Sequence, residues 1–302
     1  MSTVVFLLAP RVHLLDLAGP AQVFSTAADL GIDYTLRYVG ESEDVVTMQG
    51  LPVRVGLDWP RLDHADLVVV PGWRQPGPGA HAGFPASTLA RLRDHHHRGG
   101  VVASVCAGAF ALARAGLLDG RRCTTHHDLQ DDLARYYPAA TVVPDVLYVV
   151  DGRVITSAGI ASGIDLALHL LAVRHGPGFA SRVARQMVVY TRRNGNEQQT
   201  SAMLRHRGHV SDLAHRIQDV IDARYHQRLP LTELAAAGGV SERTLLRVFR
   251  HAVGLTPLRY QQLLRVERAE RLIEQGATVE SAARAVGFGD ARMLRRLRHR
   301  ER

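Results

Sequence analysis

Short apolar runs rich in β-branched residues alternate with stretches of helical spacing over the first two-thirds of the chain. Residues 4–8 (VVFLL), 67–70 (LVVV, closed by Pro71-Gly72) and 101–105 (VVASV) show no polar alternation. That is the pattern of strands buried on both faces. Between them, residues 19–30, with Pro20 in the first turn, and residues 85–97, ending near Gly99-Gly100, have helical spacing and stop signals. Residues 146–150, the Asp151-Gly152 pair and residues 154–156 predict a hairpin with an Asp-Gly turn. Residues 164–174 and 179–190 are further apolar helices. Strands alternating with helices predict an α/β sandwich with a mostly parallel sheet, whose ligands sit beyond the carboxyl ends of the strands.

The last third carries no strand pattern. Helices are predicted at 211–225, 231–237, 241–251, 257–274, 279–285 and 290–300. Two segments look alike: LTELAAAGGVSERTLLRVF (231–249) and TVESAARAVGFGDARMLRRL (278–297). Each has a short apolar helix, a turn containing glycine, and a second helix rich in arginine. This is a repeated helix-turn-helix pattern. In the first, Leu245, Val248 and Phe249 recur at core spacing, while Arg243, Leu246, Arg247 and Arg250 lie elsewhere on the wheel. Arg243 and Arg247, four apart, share a face that can address base edges. The plain alternative is a solvated amphipathic helix. Between the two parts, TRRNGNEQQTSAMLRHRG (191–208) is polar and aperiodic. The expected division is a domain at 1–192, a linker at 193–208 and a second domain at 209–302.

Charge strengthens this division. The 302 residues carry a formal net charge of +8, and all 37 basic residues are arginine. Residues 1–195 hold 18 arginines against 17 acids, whereas residues 196–302 hold 19 against 12. A basic C-terminal part beside a near-neutral one suggests a nucleic-acid-binding domain joined to something else. The all-arginine set also has a bland source in genome composition. The longest apolar runs fall far short of the roughly 20 residues a membrane helix needs. Residues 1–10 lack a basic region before their short apolar run, so no signal peptide is expected. Two cysteines, Cys106 and Cys123, form no disulfide framework, and a reducing cytoplasm is the simplest home.

The candidate chemistry sits where the 101–105 strand runs into Cys106-Ala107-Gly108-Ala109-Phe110. A cysteine between a buried strand and a helix has the placing of a nucleophile elbow, and a helix N-terminus favours thiolate. The alternative is a small cysteine packed at a tight turn. Asp16 and His126 are candidate partners, with Asp16 alternatively the N-cap of a helix starting at Ala18. Gly72, Trp73 and the Gly/Pro-rich loop through Pro76, Gly77, Pro78 and Gly79 lie at the expected pocket edge; Trp73 is alternatively tucked onto the core. His95, His96 and His97 are consecutive, fan over three helix directions and cannot converge on one ion. They read as a polar helix end, and no metal or cofactor is expected.

Four segments now acquire a family resemblance: LLDLAGPAQVF (14–24), DLVVVPG (66–72), SVCAGAFALARAGLLDGRRCTTH (104–126) and TSAGIASGIDLALHL (156–170). In order, they resemble the ThiJ/PfpI domain of the class I glutamine-amidotransferase-like superfamily. The likeness is to the version at the N-terminus of AraC-family regulators of the GlxA-like group, and it covers about residues 3–190. It implies a flavodoxin-like sandwich with Cys106 at the elbow, Asp16 as its acidic partner and His126 as the histidine of a Thr-Thr-His motif. Asp16, Gly72, Trp73, Cys106, Ala107 and His126 would border a pocket for a small, nitrogen-containing effector. His127 stands where the family has a Trp. Residues 231–276 are similar to the first half of an AraC-type DNA-binding domain. By that likeness Arg243, Leu246 and Arg247 face the bases and residues 258–273 connect the two units. In the second unit Arg292 and Arg296 take the base-facing places.

This second unit departs from the pattern. Arg298 stands where the family buries a Phe, and the sequence stops before the family's closing stretch. A charge in a small core is costly to desolvate. The last helix is therefore expected to be frayed or loosely docked, giving phosphate contacts more than base reading. The resemblance implies a homodimeric, sequence-specific regulator of double-stranded DNA under small-molecule control, with no membrane partner. The competing readings are a cysteine-dependent hydrolase or hydratase using Cys106, Asp16 and His126, and a redox sensor in which Cys123 resolves Cys106.

Overall fold

A computed structural model describes residues 2–74, 83–189, 193–199, 201 and 205–299. It divides into two compact units, Met1–Gln199 and Thr200–Arg302.

In the first unit the apolar runs become the centre of a six-stranded sheet. Its strands are β1 (Ser2–Leu8), β2 (Tyr34–Gly40), β5 (Leu67–Val70), β6 (Val101–Val105), β9 (Tyr148–Asp151) and β10 (Val154–Ser157). Their order is β2-β1-β5-β6-β10-β9, parallel except for the β9–β10 hairpin. The register aligns Val4 with Leu36 on one side and with Leu67 on the other. Val4 through Leu8 are fully buried because helices cover both faces. Each such side chain contributes roughly 1.5–3 kcal/mol of burial. The flanking helices are α1 (Leu14–Asp29), α2 (Ala86–His97), α3 (Ala109–Arg114), α4 (Gln130–Tyr136), α5 (Ser162–His175) and α6 (Pro177–Gln186). Two small pairs, β3 (Asp44–Val46) with β4 (Pro52–Arg54) and β7 (Arg122–Cys123) with β8 (Thr141–Val142), complete the unit. The α/β sandwich with a mostly parallel sheet is thus the fold expected from the sequence.

Several local expectations are corrected. Helix α1 starts at Leu14, five residues early, so Pro20 lies inside it. The early start is held from outside the helix: the Gln49 side-chain oxygen accepts from the Leu14 amide at 3.0 Å. Asp16 is therefore a first-turn residue rather than an N-cap. Strand β2 was not expected; Thr35 and Arg37 break its apolar pattern, and pairing with β1 makes it a strand. His95, His96 and His97 form the end of α2 as expected, but His95 and His96 are buried and only His97 is exposed. Helix α6 stops at Gln186, short of the expected 190; Tyr190 and the loop positions Pro76, Gly77, Pro78 and Gly79 lie outside the described residues.

The segment expected to be a linker is partly built into each unit. On the first, the Arg193 guanidinium pairs with buried Asp165, and the Leu147 amide donates to the Gly195 carbonyl at 2.9 Å. On the second, Arg207 meets Asp219 and Asp222, each at 2.6 Å. Tyr260, fully buried, donates to the same Asp222 at 2.8 Å.

The second unit is all-helical: α7 (Asp212–Arg224), α8 (Leu231–Gly238), α9 (Glu242–Val253), α10 (Pro257–Glu274), α11 (Val279–Ala285) and α12 (Ala291–His299). Side-chain caps start four of these helices: Ser211, Ser241, Thr256 and Thr278 each accept from an amide three residues on. Two small cores result, one around Leu245, Phe249 and Tyr260 and one around Ala282, Phe288, Leu294 and Leu297. Arg265 braces both, donating to the Tyr225 and Gln227 carbonyls and, at 2.8 Å, to the Gly287 carbonyl.

Candidate functional site

Strand β6 ends at Val105, and Cys106 opens a short 3-10 turn with φ of +55°. A non-glycine residue in the left-handed region costs on the order of 1 kcal/mol or more and is held there by its surroundings. Those surroundings are glycines. A Cβ at Gly159 would stand 2.2 Å from the Cys106 Cβ, and one at Gly108 would stand 2.0 Å from the Val70 carbonyl oxygen. The elbow expected from the sequence is present because three chain segments close on it without side chains. Gly72 marks the meeting point: a Cβ there would lie 2.5 Å from Asp16 Oδ2, 2.8 Å from Cys106 Cβ and 2.9 Å from the Ala107 nitrogen.

Asp16, Gly72, Cys106 and Ala107 are therefore brought together as expected. Asp16 is fully buried. Its Oδ1 accepts from the Ile160 amide at 2.6 Å. Its Oδ2 makes no well-formed hydrogen bond and faces the Cys106 thiol and the Gly72 amide. Burial pushes its pKa up to about 6, against the pull of these donors. Burial also pushes the Cys106 thiol far up, and the Asp16 charge adds to this. The expected thiolate is thus corrected. The helix N-terminus does act, since the Ala107 amide favours the charged form, but desolvation beside a carboxylate outweighs it. Cys123 is buried, and burial raises its thiol to about 11, away from the thiolate form.

His126 lies on the rim rather than in hydrogen bond with Cys106. The Thr125 hydroxyl donates to the Cys106 carbonyl at 2.8 Å and carries His126 beside the elbow. Burial and the neighbouring His127 hold the His126 imidazole below its ordinary value. The two rings lie 4.2 Å apart, and His127 Nδ1 approaches Asp128 Oδ1 at 3.0 Å. His126, His127 and Asp128 offer one ligand atom each within 4.8 Å, on consecutive residues of one loop of which two are exposed. Trp73 is 4% exposed, edge-on to Phe84, with its indole nitrogen unpartnered. It is packed into the core of the first unit, the alternative placement, rather than standing at an open pocket edge. The Ile160 amide escaped the sequence reading. Only the glycine of the 156–170 motif hinted at the amide, because a tight turn exposes a backbone donor.

On the second unit, α9 buries Leu245 and Phe249 and leaves Arg243, Leu246, Arg247 and Arg250 exposed on its other side. On α12, Leu294 and Leu297 are buried while Arg292 and Arg296 are exposed. The expected fraying is not found through His299. Arg298 avoids the core by reaching Glu270 at 3.2 Å, so the leucines dock the helix without a buried charge. Residue 300 lies outside the described residues. Among the described residues no helix is long and apolar enough to cross a membrane.

Comparison with known proteins accords with both units. The chain is 27% identical over 288 residues to the HTH-type transcriptional regulator GbdR of Pseudomonas aeruginosa, spanning 94% of this chain and 77% of that one. It is 34% identical over 183 residues to isonitrile hydratase of Pseudomonas putida, spanning 60% of this chain and 76% of that enzyme. The crystal structure of an AraC family transcriptional regulator from Pseudomonas putida shares the fold of the first unit at a TM-score of 0.53 and 23% identity, covering 62% of this chain and all of that one. The DJ-1/PfpI family model matches residues 2–173, and a helix-turn-helix domain model matches residues 234–301. With the elbow, the sheet order and twin helix-turn-helix units in place, the chain belongs to the DJ-1/PfpI family, its family domain joined to an AraC-type helix-turn-helix domain.

Proposed function

We propose that this protein is a sequence-specific DNA-binding transcription regulator, controlled by a small metabolite bound in its DJ-1/PfpI domain beside the Cys106 elbow. The observation that carries the reading is the exposed face of α9. Arg243, Leu246, Arg247 and Arg250 stand free while the helix back is locked into a core, as base reading in the major groove requires. Arg292 and Arg296 offer a second such face. A homodimer on adjacent major-groove segments suits this arrangement.

Ligand control draws support from the end of the first unit. The Gln199 side chain donates to the Thr125 carbonyl at 2.9 Å and to the Val146 carbonyl at 3.1 Å. Thr125 in turn holds the Cys106 carbonyl. The residue that leads toward the DNA-binding unit is thus fastened to the loop beside the elbow. A ligand that shifts residues 124–126 changes that fastening.

The test is selection of genomic fragments by the full-length protein at about 150 mM salt, where phosphate contacts alone bind weakly. An enriched motif, lost in Arg247→Ala, supports the regulator. Salt-sensitive but sequence-blind binding overturns it. The enzymatic reading rests on the elbow and on the hydratase relative. Burial beside Asp16 pushes the Cys106 thiol toward its neutral form, and the joined helix-turn-helix domain favours a binding role for the elbow.

A further inference from the structure

A second concave site lies at the opposite end of the sheet. Cys106 follows the carboxyl end of β6. The other site lies before its amino end, about 17 Å away along five strand residues. It is a cleft of about 520 Å³ between the last turns of α2 and the loop before β5. Its lining includes Trp59, Arg61, Arg91, Asp94, His95 and Arg98.

Two features set this cleft apart. First, Arg61, Arg91 and Arg98 make no ion pair or side-chain hydrogen bond among the described residues, although Arg121, Arg153 and Arg193 of the same unit each hold a carboxylate or carbonyl. Arg91 and Arg98, seven apart, share one face of α2, and Arg61 meets them from the loop. Asp94 is the lone acid lining the cleft, so the lining carries an excess of two positive charges in a unit of near-zero net charge. Second, Trp59 and Leu62 pack against the core and give the cleft an apolar side. His95, 1% exposed, backs the cleft with its ring turned against the Gly100 backbone.

We propose that this cleft is a second small-molecule site, distinct from the one beside the Cys106 elbow, for a phosphate-bearing metabolite with a flat apolar portion, of the nucleotide kind. The volume falls within the range of roughly 300–1,000 Å³ usual for small-ligand sites. A phosphate monoester carries about −1.5 to −2 charges at neutral pH, matching the excess of two. Guanidinium groups offer paired donors to phosphate, and Trp59 offers a surface for a planar ring.

The test is isothermal titration of the full-length protein with adenosine monophosphate at about 150 mM salt, repeated with inorganic phosphate. Saturable binding of one nucleotide per chain is expected, with inorganic phosphate weaker. Arg91→Gln with Arg98→Gln should weaken it at least about tenfold by removing charge-assisted contacts. Arg93→Gln, exposed on α2 but outside the cleft, should leave it unchanged. All three substitutions are on the surface, and tryptophan fluorescence confirms that the unit is folded. Absence of saturable binding overturns the proposal. So does binding unaffected by the double substitution, which places the nucleotide elsewhere, or binding of inorganic phosphate as tight as that of nucleotide. A change of oligomeric state on sedimentation in the double variant, without nucleotide binding, reassigns the patch to self-association and likewise overturns it.

Discussion

Asp16→Asn isolates the electrostatics of the elbow. The carboxyl has a folded pKa of about 6 against an ordinary 3.8. The folded state therefore binds the proton more tightly than the unfolded chain. Its contribution to stability is absent well above pH 6 and grows as pH falls toward 4. Between pH 7 and pH 5 the wild type gains about 1 kcal/mol from this group, and Asp16→Asn gains none of it. At pH 7 itself two effects of the substitution oppose each other. It removes a buried charge that costs about 3 kcal/mol to desolvate, and it places an amide donor against the Gly72 amide, costing about 1–3 kcal/mol. The pH slope, not the absolute stability, carries the answer. Histidines whose pKa values burial lowers, such as His95 and His126, push stability the other way on acidification. They do so equally in both proteins and cancel in the comparison. Urea unfolding followed by tryptophan fluorescence is the assay, because Trp59 and Trp73, the two tryptophans of the chain, both lie in the first unit. Curves for wild type and Asp16→Asn that stay parallel from pH 7 to pH 5 would refute a carboxylate strained by burial.

Four further outcomes follow from the same structure. Cys106 in the native protein should react with iodoacetamide far more slowly at pH 8 than in urea, and Asp16→Asn should speed the native reaction; rapid native labelling would contradict a neutral buried thiol. Gly159→Ala should cost on the order of 3 kcal/mol or more, because its Cβ would lie 2.2 Å from that of Cys106 at φ of +102°. Gly178→Ala, with open space around it, is the control, and equal thermal shifts would remove the wedge argument. Arg247→Ala should lose roughly 1–3 kcal/mol on the selected DNA site and relax one base step, measured by anisotropy on a panel of duplexes; a uniform loss across the panel would make Arg247 a phosphate contact. Leu294→Ala should destabilise the second helix-turn-helix core by about 2–5 kcal/mol, seen as early loss of helical signal on heating. An unchanged melt would return α12 to the loosely docked state that Arg298 suggested from the sequence.

Much of the architecture is legible along the chain because it rests on local periodicity. The strands at 67–70 and 101–105 appear at the residues expected, since an apolar β-branched run bounded by turn residues has few other uses. The helix-turn-helix pairs are equally plain, because caps such as Ser241 and core spacing at Leu245 and Phe249 lie within a few residues of each other. The charge difference between the two parts is a matter of counting. Strand β2 and the start of α1 were not legible, because the first depends on pairing with β1 and the second on Gln49, 35 residues away.

The site divides along the same line. Which residues are candidates for ligand and DNA contact was legible in motif: Cys106 after a buried strand, arginines on the free side of an amphipathic helix. What those residues are chemically was decided by tertiary structure. A helix N-terminus by itself argues for a thiolate at Cys106, yet folding buries the thiol and brings the Asp16 charge from 90 residues earlier, and both push it toward the neutral form. Arg298 by itself argues for a frayed end, yet Glu270 on α10 receives it. Residues 193–199 and 205–208 by themselves argue for a linker, yet Asp165 and Asp222 fasten their arginines to each unit. Local spacing sets what a residue can be, because backbone preference and periodicity act over one or two turns. Charge state, strain and partnership depend on the dielectric and the neighbours that folding brings from far along the chain, and these exist only once the chain has closed.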